Sequence, residues 1–133
     1  MKNHKKLKIF LVDDDALFLK NEELALNNNN EFIIETFATG ELCLQNVYKN
    51  PDVIIMDYWL NGVTTDAMNG EQALDIIKRY DSDIPVVILS GQEKIDVAVN
   101  CLHNRAFDYV VKSKTAFQQL RQIINTIKQM NIL

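Results

Sequence analysis

Two cysteines, Cys43 and Cys101, are all that the 133 residues contain. That is too few for a disulfide framework, and both fall on apolar faces of predicted helices, where they read as small core residues. Cys101 and His103 stand two apart and so face different sides of a helix. With Cys43 and His4 they make no zinc-binding pattern. No apolar run approaches the ~20 residues of a membrane span. There is no excess of positive charge: 14 Lys and Arg against 18 Asp and Glu leave a net −4. General binding of nucleic acid or of a membrane surface is therefore not expected, because both reward excess positive charge. No glycine-rich loop of the P-loop or dinucleotide type is present, and no repeat or domain linker divides the chain. Lys2, Lys5, Lys6 and Lys8 ahead of Ile9-Phe10-Leu11-Val12 imitate a secretory signal, but the run stops at Asp13-Asp14-Asp15 with no small-residue cleavage site. With 47% hydrophobic and 24% charged residues, the composition is that of an ordered globular chain. The expectation is one domain over residues 1–133, soluble, reduced and cytoplasmic.

What is present is an alternation. Leu7 to Val12 is a β-rich run, followed by helical spacing over Ala16 to Leu26 with Asp15 as N-cap. Asn27 to Asn30 reads as a polar turn. Glu31 to Phe37 is a strand of mixed, less buried pattern. Thr39-Gly40 opens a helix to about Tyr48, which Asn50-Pro51 ends. Asp52 to Asp57 is apolar on both faces. A long loop, Tyr58 to Asn69, leads to a helix over Gly70 to Tyr80, with Ala73, Leu74, Ile76 and Ile77 inward. Pro85 to Ser90 is a fourth strand. A helix over Lys94 to Asn104 turns Val97, Ala98, Cys101 and Leu102 inward. Phe107 to Val111 is the fifth strand. The last helix, Thr115 to Met130, carries Phe117, Leu120, Ile123, Ile124, Ile127 and Met130 at steps of three and four. Strands alternating with helices predict an α/β fold, a five-stranded parallel sheet doubly wound with five helices. The first, third and fourth strands suit its centre, since strands covered on both faces lose polar alternation.

In such a sheet, ligands bind beyond the carboxyl ends of the strands. The first strand ends in Asp13-Asp14, the third in Asp57, the fourth in Ser90 and the fifth in Lys112. Three converging carboxylates repel one another and raise their own pKa values. A hard divalent cation relieves this, and Mg²⁺ favours one or two carboxylates with waters and phosphate oxygens. A lysine and a hydroxyl beside it complete a phosphate cradle, and phosphoryl transfer needs mostly positioning and charge neutralisation. An aspartate can itself be the nucleophile.

On these residues the chain resembles a response-regulator receiver domain over essentially its whole length. The matching stretches are Ile9-Phe10-Leu11-Val12-Asp13-Asp14-Asp15, Phe37-Ala38-Thr39-Gly40, Asp52-Val53-Ile54-Ile55-Met56-Asp57, Pro85-Val86-Val87-Ile88-Leu89-Ser90-Gly91 and Ala106-Phe107-Asp108-Tyr109-Val110-Val111-Lys112. The resemblance implies a flavodoxin-like strand order of 2-1-3-4-5. It implies that Asp57 accepts a phosphoryl group from a histidine kinase or phosphotransfer protein. Asp14 and Asp57 would bind Mg²⁺ directly with the backbone carbonyl of Trp59, and Asp13 through water. Lys112 and Ser90 would contact the phosphoryl group, and Tyr109 would swing inward behind Ser90. The surface of helix 4, strand 5 and helix 5 would then change for an unknown downstream protein or for a homodimer. Beyond weak self-dephosphorylation, no enzyme activity is implied.

Two features depart from the family pattern. Ser113 follows Lys112 where receivers usually carry proline, so a trans bond or altered loop geometry is expected, because a non-proline cis bond costs ~3 kcal/mol. Asn61 stands where proline is frequent, and the loop over residues 61–69 is about five residues longer than usual; it either reshapes kinase recognition or is a tolerated surface insertion. Two other functions stay open at this level. One is a Mg²⁺-dependent phosphatase of the haloacid-dehalogenase type using Asp13 and Asp15, in which Asp57 has no role. The other is a degenerate receiver that only binds proteins. A further possibility is that the chain is cut from a longer transcription factor.

Overall fold

The computed structural model describes residues 6–27, 29–60, 66–91 and 95–132. Five strands, β1 (Leu7–Val12), β2 (Phe32–Phe37), β3 (Val53–Asp57), β4 (Val86–Ser90) and β5 (Asp108–Val111), alternate with five helices. These are α1 (Ala16–Leu26), α2 (Gly40–Leu44), α3 (Gly70–Tyr80), α4 (Ile95–His103) and α5 (Ala116–Ile132). All four strand pairings are parallel, and the order across the sheet is β2-β1-β3-β4-β5, as the resemblance implied. The helix between each pair of parallel strands is the crossover that such pairing requires.

Period-two alternation divides the strand residues between two cores. Phe10 and Val12 of β1, Ile54 and Met56 of β3, and Val86 and Ile88 of β4 face one layer with Leu74 and Ile77 of α3 and Cys101 of α4. Ile9, Leu11, Val53, Ile55, Val87 and Leu89 face the other, against Leu26 of α1 and Leu120, Ile124 and Ile127 of α5. β3 and β4 are buried throughout, whereas in β2 on the edge only Phe32 is buried and the other positions are half-buried or exposed.

The helix starts are set by side-chain caps. Asp15 Oδ1 accepts from the Leu17 and Phe18 amides, both at 3.1 Å. Asn69 and Gln72 form a reciprocal capping box on α3, each bond 2.9 Å, which satisfies two amide donors left over by the helix. α2 is shorter than expected. It ends at Leu44, and Val47–Lys49 is a separate 3-10 turn. The Asn46 side-chain amide donates to the Leu42 carbonyl at 2.8 Å, a local contact that competes with continuation of the helix, and Asn50 closes the 3-10 turn at φ 59. Two residues assigned inward, Ile76 and Leu102, are exposed instead, as is Met130 of the apolar stripe in the last helix. Each lies beside the buried stripe of its helix rather than in it.

α3 begins hard against the end of β3. The Gly70 amide donates to the Tyr58 carbonyl at 2.7 Å, and a Cβ at Gly70 would stand 2.4 Å from the Asp57 carbonyl oxygen. Only glycine permits that approach. Residues 61–65 of the long loop, and Lys94 of the predicted fourth helix, lie outside the described residues. The described end of that loop is fastened by the Met68 amide, which donates to Glu41 Oε2 at 3.0 Å. The Lys112–Ser113 bond is trans. Among the described residues no helix is long and apolar enough to cross a membrane.

Candidate functional site

The parallel sheet brings all strand C-termini to one edge. There β1 presents Asp13 and Asp14, and β3 presents Asp57. Their carboxylate oxygens lie within 4.8 Å of one another. Asp13 and Asp57 are buried and Asp14 is half-buried. Lys112, just after β5, reaches across the mouth: its Nζ donates to Asp13 Oδ2 at 2.9 Å and stands 3.6 Å from Asp57 Oδ2. The Lys112 backbone amide donates to the Ser90 carbonyl at 2.7 Å, so the backbone of the lysine is held by the β4–β5 ladder. Its ammonium also rests 4.2 Å above the Phe18 ring of α1, a cation–π contact that limits its wandering.

Burial first, then the neighbouring Asp13 charge, raises the Asp57 carboxyl to about 7 against the pull of Lys112 and of the Trp59 amide. Asp13 is raised too, again first by burial, and opposed by the Asp15 amide that donates to its Oδ1 at 2.8 Å and by Lys112. Burial acts to lower Lys112, but the bond to Asp13 and the charges of Asp57 and Asp13 outweigh it, so the lysine stays raised and charged. Fully ionised, the three carboxylates and Lys112 sum to −2. Hard oxygen donors, a surplus of negative charge and carboxyls raised by their own crowding are the conditions a small divalent cation relieves.

Ser90 is fully buried at the end of β4, and its side chain shares a hydrogen bond with the half-buried Tyr109 hydroxyl. The serine and the tyrosine assigned to the site are therefore in contact with each other. Trp59 contributes its amide to Asp57, while its indole is exposed and edge-on to Tyr58, ring centroids 5.0 Å apart. Asp15 is not in the carboxylate group. It is exposed, and its carboxylate is committed to the cap of α1, which removes the pairing of Asp13 with Asp15 that a haloacid-dehalogenase site would use.

Sequence reasoning missed Glu22. This residue is 1% exposed in the middle of α1, its Oε2 carries no hydrogen bond, and burial first, then the charges of Asp13 and Asp57, raises it to about 8. The available signal was a break in the helix stripe: Phe18, Glu22 and Leu26 recur every four residues, and the middle one is a carboxylic acid. A cleft of about 290 Å³ lined by Leu26, Asn29, Glu31, Phe32, Arg121 and Asn125 opens at the start of β2, at the sheet edge opposite the carboxylates.

The sequence matches the response regulator receiver domain family over residues 9–125. The chain belongs to that family. Receiver domains are phosphoacceptors of two-component signalling, generally without enzyme activity of their own, and they meet histidine kinases or phosphotransfer proteins. Among curated relatives, the protein-glutamate methylesterase/protein-glutamine glutaminase of Clostridium acetobutylicum is 28% identical over 131 residues, covering 96% of this chain and 36% of that protein. The transcriptional regulatory protein PrrA of Mycobacterium bovis is 29% identical over 106 residues, covering 79% of this chain and 43% of that protein. This receiver domain thus spans less than half the length of either relative. Among solved structures, a CheY-like receiver domain protein of Methanospirillum hungatei superposes with a TM-score of 0.79 at 19% identity, covering 96% of this chain and 98% of that one. A CheX–CheY–BeF₃–Mg²⁺ complex from Borrelia burgdorferi gives 0.75 at 24% identity, covering 90% and 88%.

Proposed function

We propose that Asp57 is the phosphoacceptor of this receiver and that Asp13, Asp14, Asp57 and the Trp59 carbonyl hold Mg²⁺. The carrying observation is the convergence of Asp13, Asp14, Asp57 and Lys112 at one sheet edge, with Asp57 at the tip of a buried central strand. An Asp57 oxygen attacks the phosphorus of a phosphohistidine on a histidine kinase or phosphotransfer protein. The new O–P bond forms as the P–N bond breaks, and the electron pair leaves on the imidazole nitrogen. A bound Mg²⁺ supplies neutralisation of the charge that gathers on the phosphoryl oxygens. Lys112, already 3.6 Å from Asp57, gives the second positive charge. To engage it, the lysine exchanges its shorter bond to Asp13 for one to the phosphoryl group. Ser90 contributes its hydroxyl, and Tyr109 follows Ser90 because the two share a hydrogen bond. The response then leaves through α4, β5 and α5, towards a downstream protein or a second copy of the chain, and the setting is cytoplasmic.

The test is phosphorylation with a small phosphodonor and Mg²⁺, with the site mapped by mass spectrometry. Phosphate is expected on Asp57, and Asp57→Asn is expected to abolish it, since an amide is a poor nucleophile and a poor Mg²⁺ ligand. Phosphate on Asp13, or undiminished labelling of the variant, overturns the assignment.

A further inference from the structure

Glu71, in the first turn of α3, uses both carboxylate oxygens across the fold. The Tyr58 hydroxyl donates to its Oε2 at 3.2 Å, and the Asn104 side-chain amide donates to its Oε1, also at 3.2 Å. On the Tyr58 side, the start of α3 is seated on the acceptor backbone through Gly70, as described above. Tyr58 stands between Asp57 and Trp59, the two positions proposed to meet the phosphoryl group and the cation.

On the Asn104 side lies the turn that ends α4. The Arg105 amide donates to Leu102 and the Ala106 amide to Cys101, both at 3.0 Å. Arg105 takes φ 74 to do this, a left-handed conformation that is strained for a residue carrying a Cβ. Among the described residues of α4, the half-buried Val97 packs against the core. Of its nine residues only Cys101 is buried, while Ile95, Val99 and Leu102 lie exposed, Ile95 at 79%. A helix so sparsely seated takes its position from whatever secures its ends.

We infer that Tyr58, Glu71 and Asn104 form a tie that couples the backbone beside the acceptor to the C-terminal end of α4, so that changes at Asp57 reposition α4 by a route separate from Ser90 and Tyr109. The three are positioning residues. They act on α4 through α3, and their role in signalling rests on Asp57 being the acceptor.

Hydrogen exchange of residues 101–106, measured in the full chain with and without phosphodonor and Mg²⁺, tests the tie. In Tyr58→Phe and in Asn104→Ala, these amides are expected to exchange about fivefold faster before phosphorylation, the size of one lost hydrogen bond. The double variant is expected to be no faster than the faster single one, because both substitutions break one chain. Asp57 is expected to take label as in the unaltered protein, while the phosphorylation-dependent change in exchange at α4 falls by at least half. Exchange in Tyr58→Phe within twofold of the unaltered protein overturns the tie, as does an effect confined to Asn104→Ala, which would mark a local cap. Failure of the unaltered protein to take label at Asp57 overturns the acceptor reading, and the signalling role of the tie with it.

Discussion

Glu22 offers the sharpest quantitative test of how this site is built. A carboxyl 1% exposed with an unpartnered oxygen is held neutral by burial: its pKa stands at about 8 in the folded chain against an ordinary 4.5. The folded state therefore keeps a proton that the unfolded chain releases. Stability attached to this group is complete below the unfolded value and is lost as pH rises from there through the folded value. Between pH 5 and pH 8, at ~1.4 kcal/mol per pH unit over most of that span, the loss is on the order of 3 kcal/mol. Glu22→Leu removes the titration and places methyl groups in the apolar layer between α1 and the sheet. It is expected to stabilise the protein by ~1 kcal/mol or more at pH 5, where the unpartnered polar atom is the main cost. At pH 8 the gain is expected to be larger by roughly 3 kcal/mol. Urea unfolding of both proteins at the two pH values, with a chelator present, reads this as a shift in midpoint at constant slope. Asp13 and Asp57 are coupled to Glu22, so the difference between the two proteins reads Glu22 together with that coupling. A stability difference equal at pH 5 and pH 8, or a Glu22→Leu variant less stable at pH 8, would refute the claim that this carboxyl is buried neutral.

Metal binding should be pH-dependent in the opposite sense. Asp57, held up at about 7 by burial, must lose its proton to act as a ligand, so Mg²⁺ affinity is expected to rise with pH up to about 8 and level off above, approaching tenfold per pH unit well below pH 7. Trp59, the single tryptophan, reports this by fluorescence, and an affinity equal at pH 6 and pH 8 contradicts it. Lys112→Ala is expected to leave both Mg²⁺-dependent quenching and Asp57 labelling in place, while phosphorylation no longer alters amide exchange in β5; an unaltered β5 response in that variant removes the lysine from the switch. Gly70→Ala drives a methyl group against the Asp57 carbonyl and is expected to cost about 2 kcal/mol or more through displacement of α3. Thermal unfolding measures it, and a change below ~0.5 kcal/mol means that α3 yields freely.

Local rules carried most of the fold. The alternating residues of β1, β3 and β4, the caps Asp15 and Thr39, and the glycine opening α3 were legible because each depends on a few neighbours along the chain. The strand tips also named the site, since a parallel sheet leaves all its C-terminal ends on one edge. What the sequence pattern misjudged were margins: Ile76, Leu102 and Met130 are apolar and correctly spaced, yet they lie just beyond the angular reach of the layer beneath them. The strand order, by contrast, followed from family resemblance rather than from any local pattern.

Tertiary structure alone decided three things. It brought the carboxylates of Asp13, Asp14 and Asp57 within 4.8 Å of one another and laid Lys112 across them. It buried Glu22 in an apolar layer, where a helical position that looked like a charged break became a neutral acid under the site. It joined Tyr58 to Asn104 through Glu71. These pairings link residues distant in sequence, and their partners are selected by how the sheet and its two helical layers close, which no periodicity along the chain encodes.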